Sequence, residues 1–159
     1  MPLLNEDYQA VSHSMVQETW PEGSVNVNHW EVPTYMVQMS VFLQKRTLAV
    51  LQPIAEAWYG QPLAPLEVRP TRSFRRNSVV ANHVEPHEDS AVAVKVVVEC
   101  RSCERWPLFV GRPDGEVDAM YAAYGDMIMC DSLCVVQGRP LPLEGAMHSE
   151  FEAHFKLQA

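Results

Sequence analysis

The chain is short of positive charge: 12 Lys and Arg stand against 20 Asp and Glu, for a net charge of −8 at pH 7. A sequence-independent nucleic-acid binder needs cations to neutralise phosphates, so this balance argues against that class of partner. The single basic cluster, Arg69, Arg72, Arg75 and Arg76, is interleaved with strand-forming residues and reads as a local site or a solvated face. No run of about 18 apolar residues exists, so no membrane insertion is expected. The first residues lack the basic and apolar regions of a secretory signal. Internal repeats and low-complexity tracts are also missing. These absences make a soluble protein of a reducing compartment, cytoplasm or organelle interior, the default expectation.

Cysteine is scarce, and its four copies fall in two pairs, Cys100-x-x-Cys103 and Cys130-x-x-x-Cys134. Two such pairs in one β-rich region could in principle hold zinc. Against zinc, the second spacing is loose and Cys130 sits in a strand pattern whose alternate residues point apart. Reduced thiols, or a disulfide within either pair, are the other readings.

What is present is an ordinary globular composition, 47% hydrophobic and 20% charged, over 159 residues. That length suits one domain with a genuine core. Tyr8, Val11, Met15 and Val16 recur at helical spacing and predict a short amphipathic helix over 6–17. Residues 25–39 read as one or two strands or an extended arm. Residues 41–59 form the best helix candidate: Leu43, Leu48, Val50, Leu51, Ile54, Ala55 and Trp58 line a broad apolar face. Pro53 must kink it or start a turn within it, and Gly60 closes it.

Beyond this point the chain turns to β. Strand patterns cover 66–74, 78–84, 91–100, 106–110, 116–120, 127–130, 134–137 and 150–156, about eight in all. The valine-dense 91–100 run has the mark of a strand buried on both faces, and Arg112-Pro113-Asp114-Gly115 is a hairpin-type turn. Trp58, Trp106, Phe109 and Tyr124 are most simply core aromatics, Met120, Met127 and Met129 core fillers, and His154 a packing residue. Helices followed by short strands predict an α+β chain with a sandwich or barrel core. The expected organisation is an arm with a helix over 1–40, a supporting helix over 41–60 and a β core over 66–157.

The most informative segment is Phe74-Arg75-Arg76-Asn77-Ser78-Val79-Val80-Ala81-Asn82-His83-Val84-Glu85. After it come Trp106-Pro107-Leu108, Gly125-Asp126-Met127, Gln137-Gly138-Arg139-Pro140-Leu141-Pro142-Leu143-Glu144-Gly145, and His154-Phe155-Lys156. In this order the segments resemble motifs of the iron(II)/2-oxoglutarate dioxygenases of the prolyl-4-hydroxylase type. Those motifs are an H-x-D ligand pair, a W-P-L strand, a P-G-D turn, an H-G-R-P-x-P-x-x-G strand with the distal histidine, and a closing V-H-F strand. The resemblance spans about 110 residues and implies a double-stranded β-helix, a jelly-roll or cupin-like barrel with flanking N-terminal helices.

In such a family two histidines and a carboxylate hold Fe(II) on one face, leaving three positions for 2-oxoglutarate and oxygen. The resemblance places His83 at the first ligand position, Glu85 at the carboxylate position and Gln137 at the distal histidine's. Glu85 is one methylene longer than Asp, and Gln137 is a neutral amide and a weaker donor than imidazole. Pro86 and Met147 stand where relatives often carry a basic residue, and Asn77 or Ser78 where they carry glycine. Arg139 remains as a receiver for the cosubstrate's far carboxylate. A shifted alternative set would be His87, Asp89 and His148.

Four departures, Glu85, Pro86, Gln137 and Met147, imply a barrel that has lost the reaction and serves as a structural or binding subunit among protein partners, without resident iron, 2-oxoglutarate or zinc. The other expectation is an active Fe(II)/2-oxoglutarate-dependent hydroxylase with an unusual ligand set.

Overall fold

The computed structural model describes residues 8, 12–19, 32–84, 89–103, 106–131 and 135–158. Glu85, Pro86, His87 and Cys134 lie outside the described residues, as do residues 6, 7 and 9–11 of the helix expected over 6–17. Of the described part, Tyr8 is helical and buried, as expected, whereas Ser12–Ser14 form a short 3-10 turn followed by strand β1, Val16–Gln17. Met15 and Val16 thus belong to an extended edge. Their apolar spacing is matched equally well by a strand that pairs with β2, Tyr35–Val37.

Helix α1 spans Val41–Tyr59. Ser40 caps its start by accepting a hydrogen bond from the Leu43 amide at 3.2 Å, and Gly60 ends it at φ 80 while donating to the Glu56 carbonyl. The helix runs through Pro53, which is exposed and removes only the bond to the carbonyl four residues back. Leu43, Thr47, Leu51 and Ala55, spaced by four, are its buried stripe. Val50, Ile54 and Trp58 are not in it; they stay between 37% and 47% exposed, so the apolar face is wider than the contact it makes. This helix is not long and apolar enough to cross a membrane.

Nine further strands follow. They are β3 (Leu63–Val68), β4 (Thr71–Arg75), β5 (Val80–His83), β6 (Val92–Arg101), β7 (Leu108–Gly111), β8 (Val117–Met120), β9 (Met127–Asp131), β10 (Gln137–Arg139) and β11 (Met147–Leu157). The segment expected as one strand over 66–74 is two, parted at Pro70, whose missing N–H breaks a ladder. The larger sheet runs β1-β2-β4-β11-β6-β9, with β3 pairing the far end of β11; the smaller runs β5-β10-β7-β8. All pairs are antiparallel.

β11 organises the fold. Phe151, Ala153 and Phe155 point to α1 and pack with Leu51, Ala55 and the alternate valines of β6, Val92, Val94 and Val96. His148, Glu150, Glu152 and His154 alternate with them and point inward, between the sheets. The valine run of β6 is buried on both faces as expected: one face meets α1, and the other, through Val97, meets Leu108, Ile128 and Cys130. Two antiparallel sheets with a helix on the larger one make the α+β jelly roll that the resemblance implied, within the sandwich-or-barrel class that the strand pattern predicted. Trp58, Tyr124 and Met120 are corrections, 47%, 52% and 36% exposed: Trp58 is on the outer side of α1, Met120 ends β8, the edge strand of the smaller sheet, and Tyr124 lies in the turn before β9.

Candidate functional site

The turn between β4 and β5 places the first candidate ligand. Asn77 sits at φ 70, a left-handed position that glycine favours and where Asn is among the better substitutes. The turn is closed by Ser78, whose Oγ accepts from the Arg75 amide at 3.1 Å. β5 then runs to His83, which lies directly across from Gln137 in the β5–β10 register. Gly138 allows this pairing, because a Cβ there would run into Asn82. The two positions that the motifs align with metal ligands are therefore cross-strand neighbours.

Their side chains differ in setting. Gln137 is 2% exposed, while His83 is half-buried with Nδ1 2.8 Å from the Ala81 carbonyl. With Nδ1 as donor in that bond, Nε2 is the acceptor nitrogen, the tautomer metal-binding imidazoles use. Glu85, the third aligned position, lies outside the described residues, as does His87 of the shifted set. Asp89 is exposed. Among the described residues no group of three or more His, Cys, Asp or Glu is gathered so as to hold a metal ion. One imidazole facing one amide is a poor donor pair for Fe(II), so the described residues fit that ion badly.

The inner face of the barrel carries a cluster that sequence reasoning did not assemble. Arg139 on β10 is 1% exposed. Its Nη1 donates to the Trp106 carbonyl at 2.6 Å and its Nη2 to Glu150 Oε2 at 2.8 Å, across from the opposite sheet. The guanidinium also lies 4.8 Å from the centre of the Trp106 ring. His148 Nε2 sits 2.8 Å from the same Glu150 oxygen, and its ring meets Trp106 edge-on at 5.2 Å. Burial by itself would raise the Glu150 carboxyl; Arg139 and then His148 more than offset this and hold it far below the carboxylate range. Burial lowers His148, partly countered by Glu150, so it is held neutral. His148 is thus engaged by Glu150 and by Cys103, at 3.3 Å, rather than directed to the His83–Gln137 pair.

Trp106 joins these parts. Its indole donates to the Leu141 carbonyl at 2.7 Å, and its ring packs with Phe74, Cys103 and Leu143. Cys100 and Cys103 form a disulfide in the turn after β6. The four-cysteine zinc site raised by the spacing thereby loses two thiolates; Cys130 is buried on β9, and Cys134 lies outside the described residues. The signal for this cluster was in the sequence as alternation, His148-x-Glu150, but nothing local told which face of β11 pointed inward.

A second polar group lies further along the same face. Lys95, 3% exposed, is bonded to Glu152, its direct cross-strand neighbour. Glu152 also takes Arg69 at 3.3 Å and stands 3.4 Å from His154, whose Nδ1 meets Ser90 Oγ at 3.0 Å.

No family model matches the chain, and no curated protein does. Solved structures do. A 2OG-Fe(II) oxygenase family oxidoreductase from Burkholderia pseudomallei superposes with TM-score 0.69 at 12% identity, over 93% of this chain and 76% of that one. A prolyl-4-hydroxylase from Pseudomonas putida gives TM-score 0.67 at 10% identity, over 99% and 88%. HygX from Streptomyces hygroscopicus, solved with nickel, 2-oxoglutarate and hygromycin B bound, gives 0.64 at 11% identity, over 99% and 80%. At such identities the likeness is one of fold. The chain has the double-stranded β-helix fold of the 2OG-Fe(II) oxygenases, prolyl-4-hydroxylases among them.

Proposed function

We propose that this barrel does not carry out the dioxygenase reaction and serves as a structural or binding subunit of a larger assembly. The observation that carries this reading is the Arg139–Glu150 pair. A cosubstrate carboxylate entering the barrel needs a cation whose charge is not already met. Arg139, the candidate for that role, is already neutralised by a carboxylate of the chain itself and bonded to the Trp106 carbonyl. Gln137 in place of the distal histidine removes a strong iron donor from the same strand. No reaction step is therefore assigned to a metal here.

The docking role rests on the outer surface. Phe42, Val50, Ile54 and Trp58 line one ridge of α1 and are 73%, 46%, 37% and 47% exposed. An apolar ridge left in water suits a protein partner. The second reading, an active oxygenase with a non-standard ligand set, is favoured by the His83 tautomer alone.

The test is direct. Purified protein with Fe(II) and 2-oxoglutarate is expected to bind neither tightly and to release no succinate. The double change Gln137→His with Glu85→Asp is expected to raise Fe(II) affinity by at least about tenfold, the scale on which ligand-shell changes act. Tight iron binding with 2-oxoglutarate-dependent succinate formation by the unaltered chain would overturn the proposal.

A further inference from the structure

The Cys100-x-x-Cys103 pair plays no part in the reading above, yet it abuts the buried cluster. Cys100 is half-buried at the inner end of β6, Ser102 takes a left-handed φ of 57, and Cys103 is 2% exposed. Gly145 packs so closely on the Ser102 carbonyl that a Cβ would overlap it. The turn is thus clamped against the strand that leads to His148.

The protonation of that histidine follows from its neighbours. Two groups face His148 Nε2: Arg139 Nη2, which can only donate, at 3.5 Å, and the Glu150 carboxylate oxygen, which accepts, at 2.8 Å; the nearer carboxylate places the imidazole proton on Nε2. Nδ1 then turns its lone pair toward Cys103 Sγ at 3.3 Å. A disulfide sulfur has no proton to offer it; a thiol does. In the reduced chain, sulfur, imidazole and carboxylate stand in the order of nucleophile, base and orienting group.

We propose that Cys100–Cys103 is a thiol–disulfide exchange site whose co-reactant is an external thiol or disulfide, with His148, oriented by Glu150, as the base for Cys103. In the oxidising direction the Cys100 thiolate, more accessible than Cys103, attacks an external disulfide, and one thiolate leaves. Cys103 gives its proton to His148 Nδ1 and attacks the Cys100 sulfur. The mixed disulfide breaks, the second external thiolate leaves with its electron pair, and the proton passes from His148 to solvent or to that thiolate. Two electrons move from the cysteine pair to the external disulfide. Reduction reverses each step. This inference is independent of whether the barrel binds iron.

The experiment uses the full chain, reduced and then exposed to glutathione disulfide, with thiols trapped by alkylation and counted by mass. Closure of Cys100–Cys103 in the folded chain is expected to be at least about tenfold faster than in the same chain in urea. His148→Gln is expected to slow closure by about 100-fold, the range of general-base assistance, and to accumulate glutathione on Cys100. Repeating the reduction with glutathione and with a thioredoxin-type dithiol identifies the physiological class by the faster arm. Three results would each overturn the proposal: equal closure rates folded and in urea, wild-type closure by a folded His148→Gln chain, or a bond that neither reductant opens while the protein stays folded. The urea comparison needs no variant, so a His148→Gln chain that fails to fold leaves the test intact.

Discussion

Two carboxylates lie two residues apart on one face of β11, Glu150 buried and Glu152 half-buried, and they are held differently. Glu152 is neutralised from within its own sheet, by Lys95 on the neighbouring strand and by Arg69 beyond β3. Glu150 is neutralised from the opposite sheet, by Arg139 on β10. The first is a lateral pair that any sheet could carry. The second ties the two sheets together across the interior of the barrel. A buried pair is weak evidence for net stability, because desolvation offsets the attraction, but breaking one side of it is severe. The interior of this barrel is therefore organised around its own charges at one end and around sheet-local pairing at the other.

The largest expected effect separates these two ends. Glu150→Gln leaves the Arg139 guanidinium buried without a counter-charge and is expected to lower unfolding free energy by about 3–5 kcal/mol in urea titration. Glu152→Gln, at a carboxylate whose side chain is 15% exposed, is expected to lower it by about 2 kcal/mol. Equal losses would dissolve the distinction between an inter-sheet tie and a lateral pair.

Next in size is a change that touches no charge. Gly145→Ala drives a methyl into the Ser102 carbonyl, backbone against backbone, and is expected to lower stability by about 1–3 kcal/mol. If chemical denaturation shows no loss, the turn carrying Cys100 and Cys103 is not clamped as described.

Acid tests both ends at once. Burial would raise Glu150 and Glu152; Arg139 in one case and Lys95 in the other reverse this, so both folded-state values lie below the ordinary 4.5. Their contribution is present above pH 4.5 and is lost as pH falls through the folded values. His148, lowered from 6.5, adds a loss of the same sign beginning as pH drops below 6.5, because the unfolded chain takes up a proton that the folded chain refuses. Stability measured by denaturant titration is thus expected to fall steadily from pH 7 toward pH 4. A flat profile between pH 7 and 5 would mean that His148 is not buried and neutral.

The smallest expected effect lies outside the barrel. Trp58→Ser on the exposed ridge of α1 is expected to change stability by less than about 0.5 kcal/mol, as surface substitutions usually do. A larger loss, read by thermal or chemical unfolding, would show that the ridge is part of the core rather than a docking face.

The motifs were informative in proportion to how local their physics is. Gly125 and Asp126 close a turn: Gly125 takes φ 86, and Asp126 Oδ2 accepts from the Ala123 amide. Asn77 or Ser78 stood where the motif has glycine, and of the two Asn77 takes the left-handed conformation that glycine favours. Trp106 was legible as core, but not as the ring over Arg139. Trp58 and Tyr124 looked like core and are exposed, because an apolar residue's spacing says which face it shares and not whether another element covers that face. The motif order aligned His83 and Gln137 with ligand positions, and the β5–β10 pairing sets them opposite one another. Arg139 could be placed beside that pair by its position in the chain, but its true partner, eleven residues on, belongs to the other sheet.

By itself the sequence determined the elements with one-dimensional signatures: the capped helix 41–59, the doubly buried valine strand, the turns, and through its motif order the double-stranded β-helix. Propensity, alternation and turn chemistry act within a few residues, so they can be read along a chain. Only the tertiary structure decided what fills the barrel. Closing one sheet over the other brings Arg139 to Glu150, Glu150 to His148 and His148 to Cys103, and in a low-dielectric interior those meetings set which groups are charged, which are neutral and what room is left for a ligand.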